Sequence, residues 1–466
     1  MPSAPAAYRA ALDRLYRRRR FGLRPGLEVE QALLTGLGNP QRAYPAVHVT
    51  GSKGKGSVAV MTAAILSAHG LRTGLFTSPH LASYRERIRR DGRTIPRGAV
   101  VDGVERVEQL SEKLEADGRI DRTPTFFEVT TALGLDWFAR QKVDAAVVEV
   151  GIGGRLDSTN VLDSRVGVIT TIELEHTDLL GATLEAIAQE KSGILHAGMR
   201  AVTGALPDGP SAVVRRTADR LGVPVWRFGR EFTAGDRALA DDGQSFSLAL
   251  PSRTLPRVEL PLLGGFQIAN AALACAAAVR FLDALGKTVS PEAIVTGLSR
   301  VRWPGRLERV ARRPELFYDV AHTPESARAV AESLGEIAPL ADPAESAILF
   351  GCLRGKNVVR ILDALTPLAR TIVVVRVRSE RAFPAAELRV AAAGLFPRIV
   401  EAPGAATGLK LARVATGPDG LTLAIGSDYL IGELLRPKGD AEEPDLSDPG
   451  TETVPPSSSI STGGGR

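Results

Sequence analysis

The stretch AVHVTGSKGKGSVAVMTAAILSAHG, residues 46–70, decides how the chain is read. A short apolar run enters the turn Gly51, Ser52, Lys53, Gly54, Lys55, Gly56 and Ser57. A helical pattern follows, with Val58, Met61 and Ile65 on one face. This is the layout of a phosphate-binding loop. Glycines let backbone N–H groups converge on a polyphosphate, the helix N-terminus adds partial positive charge, Lys55 can reach phosphate oxygens, and Ser57 can ligate Mg²⁺. The usual nucleotide-loop spacing is not met, because Gly56 separates Lys55 from Ser57 and Val49 replaces the first glycine. A glycine-rich turn that opens a helix and binds nothing is the competing reading.

Outward from this loop, strand-like runs alternate with helical ones: AVHVT, RTGLFT, VDAAVVEV, RVGVITTI and GMRAVTG. Alternation of this kind predicts an α/β fold, a P-loop ATPase domain whose parallel-dominated sheet carries helices on both faces. Before it, residues 1–45 read as two helical segments joined by a basic turn. Residues 225–262 read as an antiparallel excursion turning at Asp241 to Gly243, and a long helix is expected from Gln267 to Leu285. A smaller C-terminal α/β, Rossmann-like domain begins near Trp303, with strands LFYDV, SAILFG, TIVVV and LTLAIG. The expected boundaries are 1–299 and 300–437. Residues 438–466 are rich in Pro, Ser and Gly with few apolar side chains, and are expected to be a disordered tail.

Composition narrows the function. With 466 residues, 44% hydrophobic and 24% charged, the chain can bury substantial cores. Cys275 and Cys352 suggest neither a disulfide framework nor a zinc site, and a reducing, cytoplasmic setting is expected. No signal segment or bilayer-spanning apolar run is evident. The net charge of +5 suits anionic small substrates. The basic run Arg17 to Arg20 has no interleaved aromatics, so no nucleic-acid or membrane partner is expected.

A second stretch, VVEVGIGGRLDSTN, ends its strand at Glu149, where a parallel sheet beside a phosphate loop places a Mg²⁺-associated acid. A solvent-facing strand end is the alternative. The next strand is read as running to Glu175 and His176, ahead of Lys191 in a helix. An imidazole is an unusual ligand for Mg²⁺.

Several motifs stand in one order: TGSKGKGS, FTSPHL, ERI, TFFEVTT, VEVGIGGRLDSTN, HTDLLGATLEAIAQEKSGI, NAA, WPGRLE and DVAHTPESA. In this the chain resembles the folylpolyglutamate synthase and dihydrofolate synthase family of the Mur ligase superfamily, from about residue 21 to about residue 433. The resemblance implies an ATP-dependent amide ligase that adds L-glutamate to a folate or dihydropteroate carboxylate through an acyl phosphate. Its implied cofactors are ATP and two Mg²⁺ ions. Ser57 and Glu149 match ligands of one ion, His176 matches a ligand of the second, and Lys191 matches a lysine that is carbamylated in the family. The loop residues 51–57, with Asn270, Arg306, Asp319 and His322, match the ATP site. Arg306 and His322 fall near phosphate and Asp319 near ribose. Lys55, Lys191, His176, Arg306 and His322 are the implied catalytic set. Thr125, Phe127, Asp157 and Ser158 match the pterin-binding region, and Ser78 to His80 match a loop facing the glutamate and metal region.

The chain departs from the family at Glu175, Phe266 and Thr323, and at Ser52 and Lys53 in the loop. GCLRGKN around Lys356 lacks the family's flanking aspartates, so no glutamate-binding residue is assigned there. A monomer acting on small molecules is expected. The rivals are another Mur-type amino-acid ligase, for which the 50 residues before Gly51 leave little room for a nucleotide-sugar domain, and a P-loop NTPase without ligase chemistry.

Overall fold

The computed structural model describes residues 4–18, 26–251 and 253–436. Arg19 and Arg20 of the basic run, and the expected tail from 438, lie outside the described residues.

The first sheet has eight strands: β1 Ala46–Thr50, β2 Thr73–Phe76, β3 Ile88–Arg90, β4 Arg93–Thr94, β5 Ala145–Glu149, β6 Ser164–Ile169, β7 Arg200–Thr203 and β8 Val225–Arg227. Their order is β4-β3-β2-β5-β1-β6-β7-β8, parallel except for the β3–β4 ribbon at one edge. Alternation decides what covers each face. Val47, Val49 and Val147 pack with helices Lys55–Ala68 and Gly265–Ala284. Ala46, Ala146 and Val148 turn the other way, toward Ala4–Arg17, Glu28–Gly36, Arg97–Ala116 and Phe126–Arg140.

Two expectations change here. The excursion starts at residue 233 and not at 225, because Val225–Arg227 pairs in parallel with β7. β6 stops at Ile169, so Glu175 and His176 lie on the loop beyond it. Helix Gly265–Ala284 has the length and mean hydropathy of a membrane span, but Gln267, Asn270, Arg280 and Asp283 interrupt its apolar run, and it is buried in the core.

The excursion is a three-stranded antiparallel sheet: β9 Thr233–Ala240, β10 Gly243–Leu250 and β11 Arg253–Leu260. Its hairpin reaches the C-terminal unit. Arg237 pairs with Glu336 at 2.6 Å, and the tip residues Asp241 and Asp242 accept from Arg309 and Arg312.

The C-terminal sheet comprises β12 Glu308–Arg312, β13 Glu315–Tyr318, β14 Ala347–Phe350, β15 Thr371–Val375, β16 Arg398–Ala402 and β17 Leu421–Ile425. Its order is β12-β13-β17-β14-β15-β16, with β12 alone antiparallel. β12 and β16 had not been expected. Both are edge strands with charged, half-exposed sequences, ERVAR and RIVEA, that lack the apolar run of the central strands. Helices again cover both faces, Ile348 and Phe350 packing to one side and Leu349 and Val373 to the other.

Candidate active site

The carboxyl ends of both sheets open onto one cleft of about 790 Å³, large enough for a nucleotide-sized ligand. The phosphate loop forms its floor. Gly51 has φ +145°, and a Cβ there would come 1.9 Å from Thr170 Oγ1, so only glycine fits. Ser52 N donates to Thr171 O at 2.8 Å, and Lys53 N donates to Thr171 Oγ1 at 2.9 Å. Thr170 Oγ1 donates to Lys53 O, and Glu173 N donates to Ser52 Oγ at 2.9 Å. The loop is thus sewn to the segment that leaves β6. Gly54, at φ +82°, starts helix Lys55–Ala68 and aims its N-terminal N–H groups into the cleft. Lys55 Nζ turns back to Gly51 O at 2.8 Å, and Ser57 is buried in the first turn.

Glu149 ends β5, in register with Val49 of β1. It is 4% exposed and accepts from Ser78 N at 3.0 Å. Burial pushes its carboxyl up to about 7, against the pull of Lys55, the Ser78 N–H, Arg306 and Arg87. Gly56, which breaks the usual loop spacing, explains how loop and acid meet. A Cβ at Gly56 would stand 3.0 Å from Trp303 and 3.4 Å from Glu149 Oε2. A desolvated carboxylate beside a first-turn serine fits a hard cation that also takes phosphate oxygens and water. Among the described residues no three His, Cys, Asp or Glu side chains gather into a protein-only metal site.

The second expected group is arranged differently from its sequence reading. His176 has φ +46° ahead of the short helix Thr177–Leu180 and lines the cleft. Burial lowers its pKa. Lys191, in helix Leu184–Ser192, does not line the cleft; its Nζ donates to Glu175 Oε1 at 2.8 Å, and Glu175 faces the cavity. Burial, then the Lys55 charge, lowers Lys191 to about 8. Burial pushes Glu175 up, but Lys55 and Lys191 outweigh it and leave the carboxyl below its usual value.

The far wall comes from the C-terminal unit. Arg306 faces the cleft 3.9 Å from Asp428. Asp319 spends one oxygen on Leu307 N and the other on Ala321 N, each at 2.7 Å, and burial raises it to about 6. His322 Nδ1 lies 3.0 Å from Val320 O, which assigns the proton to Nδ1 and leaves Nε2 as an acceptor. Burial, then Lys356 and Lys53, lower it to about 3, so it is neutral at working pH. Asn270 donates to Gln267 Oε1 at 3.0 Å, and its Oδ1 would meet a Cβ on Gly54 at 2.4 Å.

Ser78, His80, Thr125, Phe127, Asp157 and Ser158 all line the same cleft. His80 accepts from Arg87 Nε at 2.7 Å, and two others hold local structure in place. Thr125 caps helix Phe126–Arg140 in a capping box with Glu128. Asp157 accepts from Ile152 N, Thr159 N and Thr159 Oγ1, holding the glycine-rich loop after β5 closed. Phe127 is the aromatic wall: a Cβ at Gly151 would lie 2.7 Å from its ring, so the glycine is what admits it. Reasoning from the sequence missed Arg87, Glu173, Arg381 and Asp428, which also line the cleft. Only Arg87 sat in a quoted motif, ERI.

A phosphate loop facing a second α/β unit across a cleft with a buried strand-end acid defines an ATP-dependent ligase of the Mur ligase superfamily. The Mur ligase middle-domain model matches residues 49–278, and the Mur ligase glutamate-ligase-domain model matches residues 305–427. The chain belongs to the folylpolyglutamate synthase/dihydrofolate synthase family. It is 37% identical over 355 residues to the folylpolyglutamate synthase of Lacticaseibacillus casei, covering 76% of this chain and 82% of that one. It is 37% identical over 391 residues to the dihydrofolate synthase/folylpolyglutamate synthase of Mycobacterium tuberculosis, covering 80% and 78%. The Mycobacterium tuberculosis folylpolyglutamate synthase solved with ADP and AMPPCP superposes with a TM-score of 0.84 at 35% identity, over 91% of this chain and 97% of that one.

Proposed function

We propose that the enzyme joins L-glutamate to the carboxylate of a folate or of dihydropteroate at the cost of ATP. A carboxylate oxygen of the acceptor attacks the γ-phosphorus and ADP leaves, giving an acyl phosphate. The glutamate amine, having lost a proton, attacks the acyl carbon, and phosphate leaves as the amide forms. Lys55 and Arg306 oppose the charge on the transferring phosphoryl group from opposite walls, and closure of the cleft excludes water from the acyl phosphate. Neutral His322 offers Nε2 as an acceptor, and the N–H groups of residues 54–57 cradle the phosphates. Mg²⁺, at Ser57 and Glu149 with a second ion at His176 and a carbamylated Lys191, would supply further charge neutralisation. The acceptor's flat ring lies against Phe127, with Ser78, His80, Thr125, Asp157 and Ser158 around it.

The observation that carries this reading is the single cleft that joins the phosphate loop, Glu149 and the Arg306 wall to an aromatic pocket. The same reading divides the chain at 299/300, and makes the protein a cytoplasmic monomer whose partners are small molecules. Phosphate release by purified protein is the test, with dihydropteroate and tetrahydrofolate as alternative acceptors. Release that requires both an acceptor and glutamate supports the proposal; release indifferent to both would make the protein an NTPase of another kind.

A further inference from the structure

The strand that enters the phosphate loop carries two polar side chains in an otherwise apolar run, His48 and Thr50 of β1. Both are buried, and alternation puts both on the face of Ala46, away from helices Lys55–Ala68 and Gly265–Ala284. Each reaches the loop that follows β5. Thr50 Oγ1 donates to Gly153 O at 2.6 Å, and His48 Nε2 lies 2.8 Å from Thr159 Oγ1. One strand therefore ends in the phosphate loop and holds, from its flank, the loop that brings Asp157 and Ser158 to the cleft.

Bonding capacity fixes the direction of each contact. Thr159 Oγ1 lies 2.5 Å from Asp157 Oδ1, and a carboxylate only accepts, so the threonine proton is committed to Asp157. The hydroxyl then shows His48 lone pairs alone. Burial, then His196, lower His48 to about 3, so the ring is neutral and its one proton is assigned to Nε2. The relay runs from His48 to Thr159 to Asp157. Burial pushes the Asp157 carboxyl up, and what opposes burial is hydrogen bonding: the Thr159 hydroxyl first, then the N–H groups of Ile152, Thr159 and Gly151. Oδ1 is filled by Thr159 N and Oγ1, which leaves Oδ2, bonded to Ile152 N at 2.9 Å, as the oxygen a ligand can share.

We infer that His48 is a positioning residue of the acceptor site, which acts through Thr159 to set the orientation in which Asp157 meets an N–H group of the acceptor's heterocycle. This rests on the acceptor reading proposed above. His48 does not line the cleft, so it touches no ligand itself. The terminal torsion of an aspartate is broad, so its orientation has to be imposed by the donors around it. Without the histidine donor the Thr159 hydroxyl loses the contact that selects its rotamer, and with it the direction of its own bond to Oδ1.

The test measures KM for tetrahydrofolate, dihydropteroate and ATP, with kcat, in the full chain and in two pairs of variants. His48→Leu and Thr159→Val break the relay, whereas His48→Gln keeps a side-chain N–H donor and Thr159→Ser keeps the hydroxyl. The breaking variants are expected to raise the acceptor KM about tenfold or more, while KM for ATP and kcat change less than about threefold. The donor-keeping variants should stay within about threefold of the parent throughout. Thr159→Val has nearly the shape of threonine, so the relay is tested even where His48→Leu fails to fold. Equal losses for acceptor and ATP would make the two residues mere supports of the fold, and an unchanged acceptor KM in Thr159→Val would show that Asp157 needs no relay. Either result overturns the inference. An unaltered protein that turns over neither acceptor would strike the acceptor reading itself, and this inference with it.

Discussion

Lys191 Nζ lies 2.8 Å from Glu175 Oε1, with the lysine side chain 1% exposed and the glutamate forming the cleft surface. Burial holds the amine near 8, so about half of it is neutral at pH 8, against well under about 1% for an exposed lysine. Carbamylation consumes the neutral amine and CO₂ and releases a proton. Lys191→Ala is therefore expected to lower turnover by about 100-fold or more, with partial recovery in acetate or formate. Intact-mass measurement of fresh protein should find one added CO₂ that Lys191→Ala lacks. Full turnover by protein carrying only the free amine would end the idea.

Glu149 makes a stability prediction with a definite sign. Its folded pKa is raised from 4.5 to about 7, so the folded state binds a proton more tightly than the unfolded one. Ionisation then works against folding: stability declines as pH rises from about 4.5, and the full penalty, about 3 kcal/mol, is present above about 7. Glu149→Gln should match the nucleotide-free parent near pH 4.5 and exceed it at pH 8, while ATP-dependent ligation is abolished. Melting curves across pH, read beside activity, check both halves. A variant that is less stable at pH 8 would show that Lys55, Ser78 N, Arg306 and Arg87 together more than offset the burial of the carboxylate.

Arg306 reaches the cleft from the C-terminal unit, opposite Lys55 in the loop. Arg306→Ala is expected to cut kcat by about 100- to 1,000-fold with a much smaller change in ATP-analogue affinity. An equal loss in binding and turnover would mean that Arg306 holds the ground state and not the transferring group.

Gly54→Ala places a Cβ at φ +82° and 2.4 Å from Asn270 Oδ1. The backbone strain is about 1 kcal/mol, and displacement of Asn270 disturbs the cleft wall as well. Nucleotide affinity should fall about tenfold or more, with a drop of a few degrees in Tm. The double variant Gly54→Ala/Asn270→Ala should regain part of the lost Tm, since the contact responsible is gone.

The central strands were legible because buried parallel strands are continuous apolar runs: AVHVT, AAVVE and TIVVV need no context to be recognised. Edge strands were not, since ERVAR and RIVEA alternate charge with half-buried residues as an exposed helix or loop can. The loop, Glu149, Arg306 and Asp319 were legible through motif order. What Asp319 and Asp157 hold was not, because their backbone partners, Leu307 with Ala321 and Ile152 with Thr159, are set by turns that only the folded chain displays. Lys191 beneath Glu175 is likewise a tertiary relation, formed across 16 positions of sequence.

The β9–β10 hairpin meets the C-terminal unit through Arg237 with Glu336 and through its tip with Arg309 and Arg312, on surfaces that stay partly wet. Such contacts weaken with salt on the scale of a Debye length of about 8 Å at physiological ionic strength, whereas the buried cleft is screened far less. The hairpin thus works as a tether whose tension is set by the surrounding electrolyte. Where opening of the cleft limits product escape, added salt slackens the tether and turnover can quicken, even as the same salt weakens the first encounter with an anionic substrate.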